Sequence, residues 1–248
     1  MHKFFTPAEL FSEKEAIIQG EDVKHIYKVL RLKEGQEIIV NNLHGEEYSG
    51  VIEEITKSEV RVSLREKLER NNESPLEIFL FQGMPKAAKM DLIVQKGTEL
   101  GIKEITPVVT ERVDVKLKGD FKKLDRLERI ALEACKQCKR TLIPKINIPI
   151  TFSELITALK DMDLVVVPYE NAENFGIKSL IKSIDCKVKT VAVIIGPEGG
   201  FEDSEINRLK ENGAYIVTLG PRILRTETAG FTASSLLQYE LGDLGGII

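Results

Sequence analysis

The sequence predicts an α/β chain in two parts: a small β-rich domain over residues 1–72, then a larger domain over 73–248 built on a mainly parallel sheet. Three observations predict it. Short strand-like runs crowd the chain before residue 69. A polar stretch, Glu69-Arg70-Asn71-Asn72-Glu73-Ser74-Pro75, ends in proline as a linker does. Beyond it, buried strand-length runs alternate with segments of helical period.

In the first part, 36–40 is a short apolar strand, and Asn41-Asn42-Leu43-His44-Gly45 carries turn chemistry. Strands follow at 48–55 and 60–64, the second alternating Val60, Val62 and Leu64. Val23, Ile26, Tyr27 and Leu30 suggest a turn or two of helix within 22–32. Several short strands in so short a span suggest a small barrel. In the second part, strands are expected at 76–81, 102–109, 146–150, 164–168, 190–195 and 215–219. Helices are expected at 90–100, 121–139, 153–160, 174–184, 203–212 and 226–241. Asp203 is a plausible N-cap of its helix, and Gly213 its C′ residue.

Composition sets bounds on the class. Of 248 residues, 42% are hydrophobic and 30% charged, as in ordinary soluble domains. The apolar run 191–195 is far too short to span a bilayer. No apolar h-region follows the first residues, so the chain reads as cytosolic, with no membrane segment. Three cysteines are too few for a disulfide framework. Cys135 and Cys138 form a C-x-x-C, but His2, His25 and His44 are all distant in sequence. With i, i+3 spacing on a helix, the two thiols read as buried helix cysteines rather than a metal site.

The net charge of −4 argues against a surface coated for nucleic acid, but the charge is uneven. Residues 112–140 hold ten Lys or Arg against five Asp or Glu. On a helix, Lys122, Arg126, Arg129, Lys136 and Arg140 fall on one stripe, opposite Leu124, Leu127, Ala131, Ala134, Cys135 and Cys138. The stripe fits a solvated face and an RNA-phosphate contact equally. His25, Lys28 and Arg31 form a second, weaker basic cluster.

Two loops carry the sharpest signals. Ile194-Ile195-Gly196-Pro197-Glu198-Gly199-Gly200-Phe201 ends a buried strand in a glycine-rich loop before a helix. In open α/β sheets ligands bind at the carboxyl ends of strands, where glycines admit close backbone approach. The loop is neither G-x-G-x-x-G nor a P-loop. Leu219-Gly220-Pro221-Arg222-Ile223-Leu224-Arg225-Thr226-Glu227-Thr228-Ala229 repeats the arrangement, with Thr226 able to cap the helix that follows. Arg225 sits at the positive end of that helix dipole, a placement that suggests function more than stability. A salt bridge to Glu227 or Glu198 is the plain alternative.

These two motifs resemble signatures of the bacterial 16S rRNA uridine-N3 methyltransferases, the RsmE family of the SPOUT class. Lys89-Met90 with Gln95-Lys96-Gly97-Thr98-Glu99-Leu100-Gly101, Thr106-Pro107, Glu111-Arg112, Glu133-Ala134-Cys135-Lys136-Gln137-Cys138 and Val29-Leu30-Arg31 are similar to further stretches of that family. His2-Lys3 and Lys139-Arg140 depart from its pattern while keeping positive charge. The resemblance implies a PUA-like or OB-like barrel, then an α/β domain tied in a deep trefoil knot, and a homodimer. It implies S-adenosylmethionine held by Val167 and Pro168, by Gly196, Pro197, Glu198, Gly199 and Gly200, and by Leu219, Gly220, Ile223, Leu224 and Arg225. It implies 16S rRNA as substrate, within the small ribosomal subunit.

On that reading, uracil N3 must lose a proton before it attacks the methyl group. Arg225 is the candidate for stabilising the anion, and Glu198 or Glu227 for accepting the proton, unless water does. A ribose 2′-O methyltransferase of the same class and a non-catalytic RNA-binding or ribosome-assembly protein are the alternatives.

Overall fold

The computed structural model describes residues 1–69, 72–86, 89–113, 121 and 123–246. They divide into two compact units, Met1–Glu73 with Cys135–Ile143, and Ser74–Ala134 with Pro144–Ile248.

The first unit holds β1 (Lys3–Phe5), β2 (Glu15–Gln19), α1 (Glu21–Lys24), β3 (Glu37–Asn41), β4 (Glu47–Ile55) and β5 (Glu59–Leu68). A π-helical turn, His25–Val29, continues α1. The sheet order is β1-β3-β4-β5-β2, with β1 parallel to β3 and the other pairs antiparallel. The Thr6 hydroxyl, just past β1, donates to the Ile17 carbonyl of β2 at 2.7 Å. The two edge strands thus curl toward each other in a partly closed barrel, which leaves less bare edge. Alternate residues such as Ala16, Ile18, Ile38, Val40, Ile52, Val60 and Val62 fill it. The turn between β3 and β4 is built by its asparagines: Asn41 Oδ1 accepts from Leu43 N, and Asn42 Oδ1 from His44 N.

Two strands of this sheet, β1 and β2, are additions to the sequence reading. β1 is only three residues long and Glu15 and Gln19 bound β2, so neither shows the alternation that marks a strand. Residues 135–143 belong to this unit through buried polar contacts. Arg140 holds Glu73 with Nε at 3.0 Å and Nη2 at 2.6 Å, and Asn41 Nδ2 donates to the Thr141 carbonyl at 2.9 Å.

In the second unit, β6 (Glu77–Gly83), α2 (Lys89–Glu99), β7 (Glu104–Val109) and α3 (Leu124–Cys138) come first. Then follow β8 (Lys145–Ile146), β9 (Ile150–Thr151), α4 (Phe152–Ala158), β10 (Leu164–Pro168) and α5 (Ile177–Lys182). β11 (Thr190–Ile195), α6 (Asp203–Glu211), β12 (Tyr215–Val217) and α7 (Thr226–Leu241) complete it. The strands pair in parallel in the order β12-β10-β11-β6-β7-β8, with β9 also on β7. One face packs Val165, Val167, Ala192 and Ile194 against Phe152 and Leu155 of α4 and Ile206 and Leu209 of α6. α7 packs on β6 and β11, and also on α2. Cover on both faces explains why β10 and β11 read as unbroken apolar runs.

Several boundaries moved for local reasons. The strand expected at 146–150 breaks into β8 and β9: Pro149 has no N–H to pair, and Asn147 Nδ2 donates to Glu104 and Thr106 side chains. The helix expected from 174 starts at Ile177, because Gly176 bridges to Thr218 in parallel β fashion. Asp203 does not cap α6. Glu202 is the N-cap, and Glu205 Oε2 accepts from Glu202 N at 2.9 Å. Gly213, at φ +80°, ends that helix as expected. Cys135 lies buried in α3, where loss of hydration pushes its thiol up to about 12. Among the described residues no group of His, Cys, Asp or Glu could hold a metal, and no helix is long and apolar enough to cross a membrane.

Candidate functional site

Because β12, β10 and β11 are adjacent and parallel, the loops after them leave the sheet at the same end. Residues drawn from 169–176, 196–201 and 218–225 wall a cavity of about 1120 Å³ there. This is where open α/β sheets take ligands. The first and third loops are tied together where Thr218 N donates to the Phe175 carbonyl at 2.9 Å.

The glycine loop is held from three sides. Gly200 N donates to the Pro197 carbonyl at 2.9 Å, closing a tight turn. Gly200 itself is at φ +69°, a conformation that strains residues with a Cβ and favours glycine, and a Cβ there would stand 2.8 Å from Glu170 Oε1. Behind the loop, Gly83 at the end of β6 lies so close that a Cβ would meet Pro197 N at 2.5 Å. On its outer side Arg112 grips Glu202 with Nε at 2.7 Å and Nη2 at 3.0 Å, and donates from Nη1 to the Gly199 carbonyl at 3.1 Å. The hydrogen bonds to Glu202 hold the Arg112 guanidinium above its ordinary pKa, against the opposing effect of desolvation.

The charges are arranged around Lys89, the first residue of α2. Its Nζ lies 3.0 Å from Glu198 Oε1 and 3.3 Å from Glu227 Oε2, the second an ion pair without hydrogen-bond alignment. Glu198 also accepts from Lys86 N at 3.1 Å. Burial pushes the Glu198 carboxyl up, but the Lys89 ammonium and nearby backbone N–H groups outweigh it and hold it below its ordinary value. The Glu198 carboxylate raises Lys89 most, against the opposing effect of burial, and the Glu227 carboxylate adds to the rise. Arg225 is exposed on the cavity wall, and its guanidinium makes no hydrogen bond or ion pair with a described residue. The salt bridge from Arg225 to Glu198 or Glu227 is therefore not made; Lys89 takes both carboxylates.

Thr226 does not cap α7 either. Arg225 is the N-cap, and Thr226 is the first helical residue. Its hydroxyl donates to the Gly196 carbonyl at 2.6 Å and accepts from Gln82 Nε2 at 2.7 Å.

The structure brings most of the expected cofactor residues together. Pro168, Gly196, Pro197, Glu198 and Gly200 line the cavity, as do Leu219, Gly220, Ile223, Leu224 and Arg225. Val167 does not line it: the strand pleat turns it into the core. Gly199 backs onto Arg112 instead of the cavity. Glu227 reaches the wall through Lys89. Lys89, Glu170 and Thr218 also line the cavity and escaped the sequence reading. Lys89 carried a usable signal, a cation at the start of a helix, where the dipole disfavours it.

The basic residues have varied surroundings. Lys136 pairs with Asp22 at 3.1 Å, and Arg126 with Asp91 at 2.5 Å. Arg140 is 5% exposed and bound to Glu73, so its guanidinium serves the fold instead of the solvated stripe expected for it. Arg129 is exposed on α3. His25 is exposed and meets the Phe4 ring edge-on, Lys28 lies over Tyr27, and Arg31 is exposed at φ +52°. Lys122 lies outside the described residues.

Comparison with known proteins agrees with this geometry. The model of an RNA methyltransferase domain matches residues 72–238, and that of an RNA methyltransferase PUA domain matches 18–65. A ribosomal RNA small subunit methyltransferase E of Bacillus subtilis is 36% identical over 235 residues, covering 92% of this chain and 91% of its own. One from Aquifex aeolicus is 34% identical, over 89% and 93%. A methyltransferase of Legionella pneumophila, solved with the bound cofactor SAM, superposes with a TM-score of 0.84 at 35% identity, covering 98% of each chain. A ribosomal RNA small subunit methyltransferase E from Neisseria gonorrhoeae, bound to S-adenosyl methionine, gives 0.83 at 29% identity, covering 98% of this chain and 99% of its own. On these matches the chain belongs to the ribosomal RNA small subunit methyltransferase E family, an RNA methyltransferase domain joined to an RNA methyltransferase PUA domain.

Proposed function

We propose that this protein is an S-adenosylmethionine-dependent methyltransferase that methylates N3 of a uridine in small-subunit ribosomal RNA. The observation that carries the reading is the three-loop cavity at the ends of β12, β10 and β11, in a chain whose relatives of the same fold bind this cofactor. The residues present fit such a ligand. The cavity has ample volume, Ile195, Leu219 and Leu224 offer apolar surface for an adenine ring, and the glycine loops bring backbone polar groups to the wall.

When bound, the cofactor supplies an electrophilic methyl group. The protein's own task is to make N3 nucleophilic and to hold the base in place. The N3 edge is the pairing edge of uracil, so the target base must be unpaired on entry. Arg225 stabilises the negative charge that spreads to the uracil oxygens as the N3 proton leaves. Glu198, held charged by a lysine and a backbone N–H, is a weak base, so we assign the proton to water and give Glu198 and Glu227 no part in the proton transfer.

Arg129 on α3, with His25, Lys28 and Arg31, supplies phosphate contacts. α2 and α7 present exposed Leu92, Leu236 and Tyr239, which supports a homodimer. The trefoil knot belongs to the same reading, as does work in the cytoplasm on assembled small subunits.

The test is methyl transfer from labelled cofactor to small subunits that lack the modification, with nucleosides identified by mass spectrometry. N3-methyluridine supports the reading. A 2′-O-methyl product, or RNA binding without transfer, overturns it. Arg225→Ala is expected to lose about a hundredfold or more in kcat while cofactor Kd changes little.

A further inference from the structure

The corner of the cavity next to α7 poses an electrostatic problem that one side chain resolves. Glu198 comes from the glycine loop and Glu227 from the first turn of α7, and both carboxylates lie within 3.3 Å of Lys89 Nζ. Arg225 is two residues before Glu227, lines the same cavity as Lys89 and Glu198, and its guanidinium pairs with no described residue. A guanidinium is the natural bidentate partner of a carboxylate. With two carboxylates nearby, an Arg225 left to itself would be captured by one of them.

We propose that Lys89 is a positioning residue: by neutralising Glu198 and Glu227 together, it keeps both carboxylates off Arg225 and leaves that guanidinium available for the negative charge that develops on the substrate. The proposal rests on the methyl-transfer reading of Arg225.

The chemistry of the side chain fits this role. An ammonium presents three donors around one nitrogen and can serve carboxylates from two different elements, whereas a planar guanidinium commits its fork to one. The position is not explained by helix stability, since a cation at the start of α2 opposes the helix dipole. Lys86 N, in the segment before α2, anchors Glu198 at 3.1 Å, so the same stretch of chain fixes the carboxylate from two directions. Without Lys89 the two acids would repel each other, and the nearest mobile cation would be drawn in.

The experiment compares Lys89→Met, Lys89→Arg, and Lys89→Met combined with Glu198→Gln and Glu227→Gln. It measures kcat on small subunits and cofactor Kd by calorimetry. Lys89→Met is expected to lose about tenfold or more in kcat, with Kd within about threefold of the parent. The triple variant is expected to recover most of that loss, because no carboxylate remains to trap Arg225. Lys89→Arg is expected to fall between Lys89→Met and the parent. If Lys89→Met does not fold, as judged by its melting curve, Lys89→Gln carries the same comparison. Unchanged kcat in Lys89→Met, a loss the triple variant does not recover, or a loss confined to cofactor affinity would each overturn the proposal. A parent protein that neither binds the cofactor nor transfers methyl overturns the methyl-transfer reading itself, before any variant is made.

Discussion

The Thr226 hydroxyl donates to the Gly196 carbonyl at 2.6 Å, tying the first residue of α7 to the first residue of the glycine loop. The same oxygen accepts from Gln82 Nε2, which also donates to the Gly83 carbonyl at 3.1 Å. One buried chain of hydrogen bonds thus links the ends of β6 and β11 to the start of α7. Thr226→Val removes its centre and leaves two buried polar groups short of a partner, at about 1–3 kcal/mol. Thermal unfolding is expected to show a Tm several degrees lower, with Thr226→Ser close to the parent. A Thr226→Val protein as stable as the parent would show that water replaces the hydroxyl.

Gly199 faces away from the cavity, yet its substitution is expected to weaken cofactor binding. A Cβ there stands 3.0 Å from Arg112 Cβ and 3.2 Å from the Arg112 carbonyl. Gly199→Val pushes Arg112 outward and breaks the bond that steadies the loop, at a cost of about tenfold in cofactor Kd. Arg112→Ala is expected to weaken binding in the same direction with a small change in Tm, because its pair with Glu202 is exposed to solvent. Calorimetric titration of both variants decides this; an Arg112→Ala protein with unchanged affinity would remove the link between Arg112 and the loop.

Arg140 and Arg129 lie on one basic segment and are expected to fail differently. Arg140→Ala takes the guanidinium from a partly buried Glu73, which still accepts from Thr141 N and Leu142 N, at a cost of up to about 3 kcal/mol, or up to about 6–12 °C in Tm. Arg129→Ala is expected to leave stability within about 0.5 kcal/mol. It should instead lower affinity for small-subunit RNA and reduce the salt slope by about one. Melting curves with binding isotherms at several salt concentrations separate the two roles, and a stability loss in Arg129→Ala with unchanged RNA affinity would contradict the assignment.

Glu154 caps α4. It accepts from Thr151 N at 2.7 Å and from the Thr151 hydroxyl at 2.8 Å, and these bonds hold its carboxyl below the ordinary value. A carboxylate depressed in the folded state stabilises above its unfolded pKa of about 4.3, and that contribution is lost as pH falls through the folded value. Glu154→Gln is therefore expected to show a shallower fall of Tm between about pH 5 and pH 3, by on the order of a degree. Identical pH dependence in the two proteins would show that the charge adds nothing to the cap. Asp163, held down by the N–H groups of Lys189 and Thr190, adds to the same acid sensitivity of the parent.

By itself, the sequence determined what depends on neighbours along the chain. β10 and β11 could be read to the residue, because cover on both faces of a parallel sheet leaves an unbroken apolar run. α7 could be read to its bounds, Thr226–Leu241, and the two glycine motifs, where Gly200 takes a positive φ, marked the cavity walls. Tertiary structure alone decided what depends on partners far away in sequence. β1 and β2 exist because β3 and β5 supply their hydrogen bonds. Val167 points into the core because of the pleat, and Thr226 serves Gly196 instead of its own helix. Arg140 became a structural ion pair because Glu73 lies against it. Arg225 is left uncommitted because Lys89, from the start of α2, satisfies the two carboxylates that local sequence would have assigned to it. Charge pairing follows distance through space, which spacing along a chain does not encode.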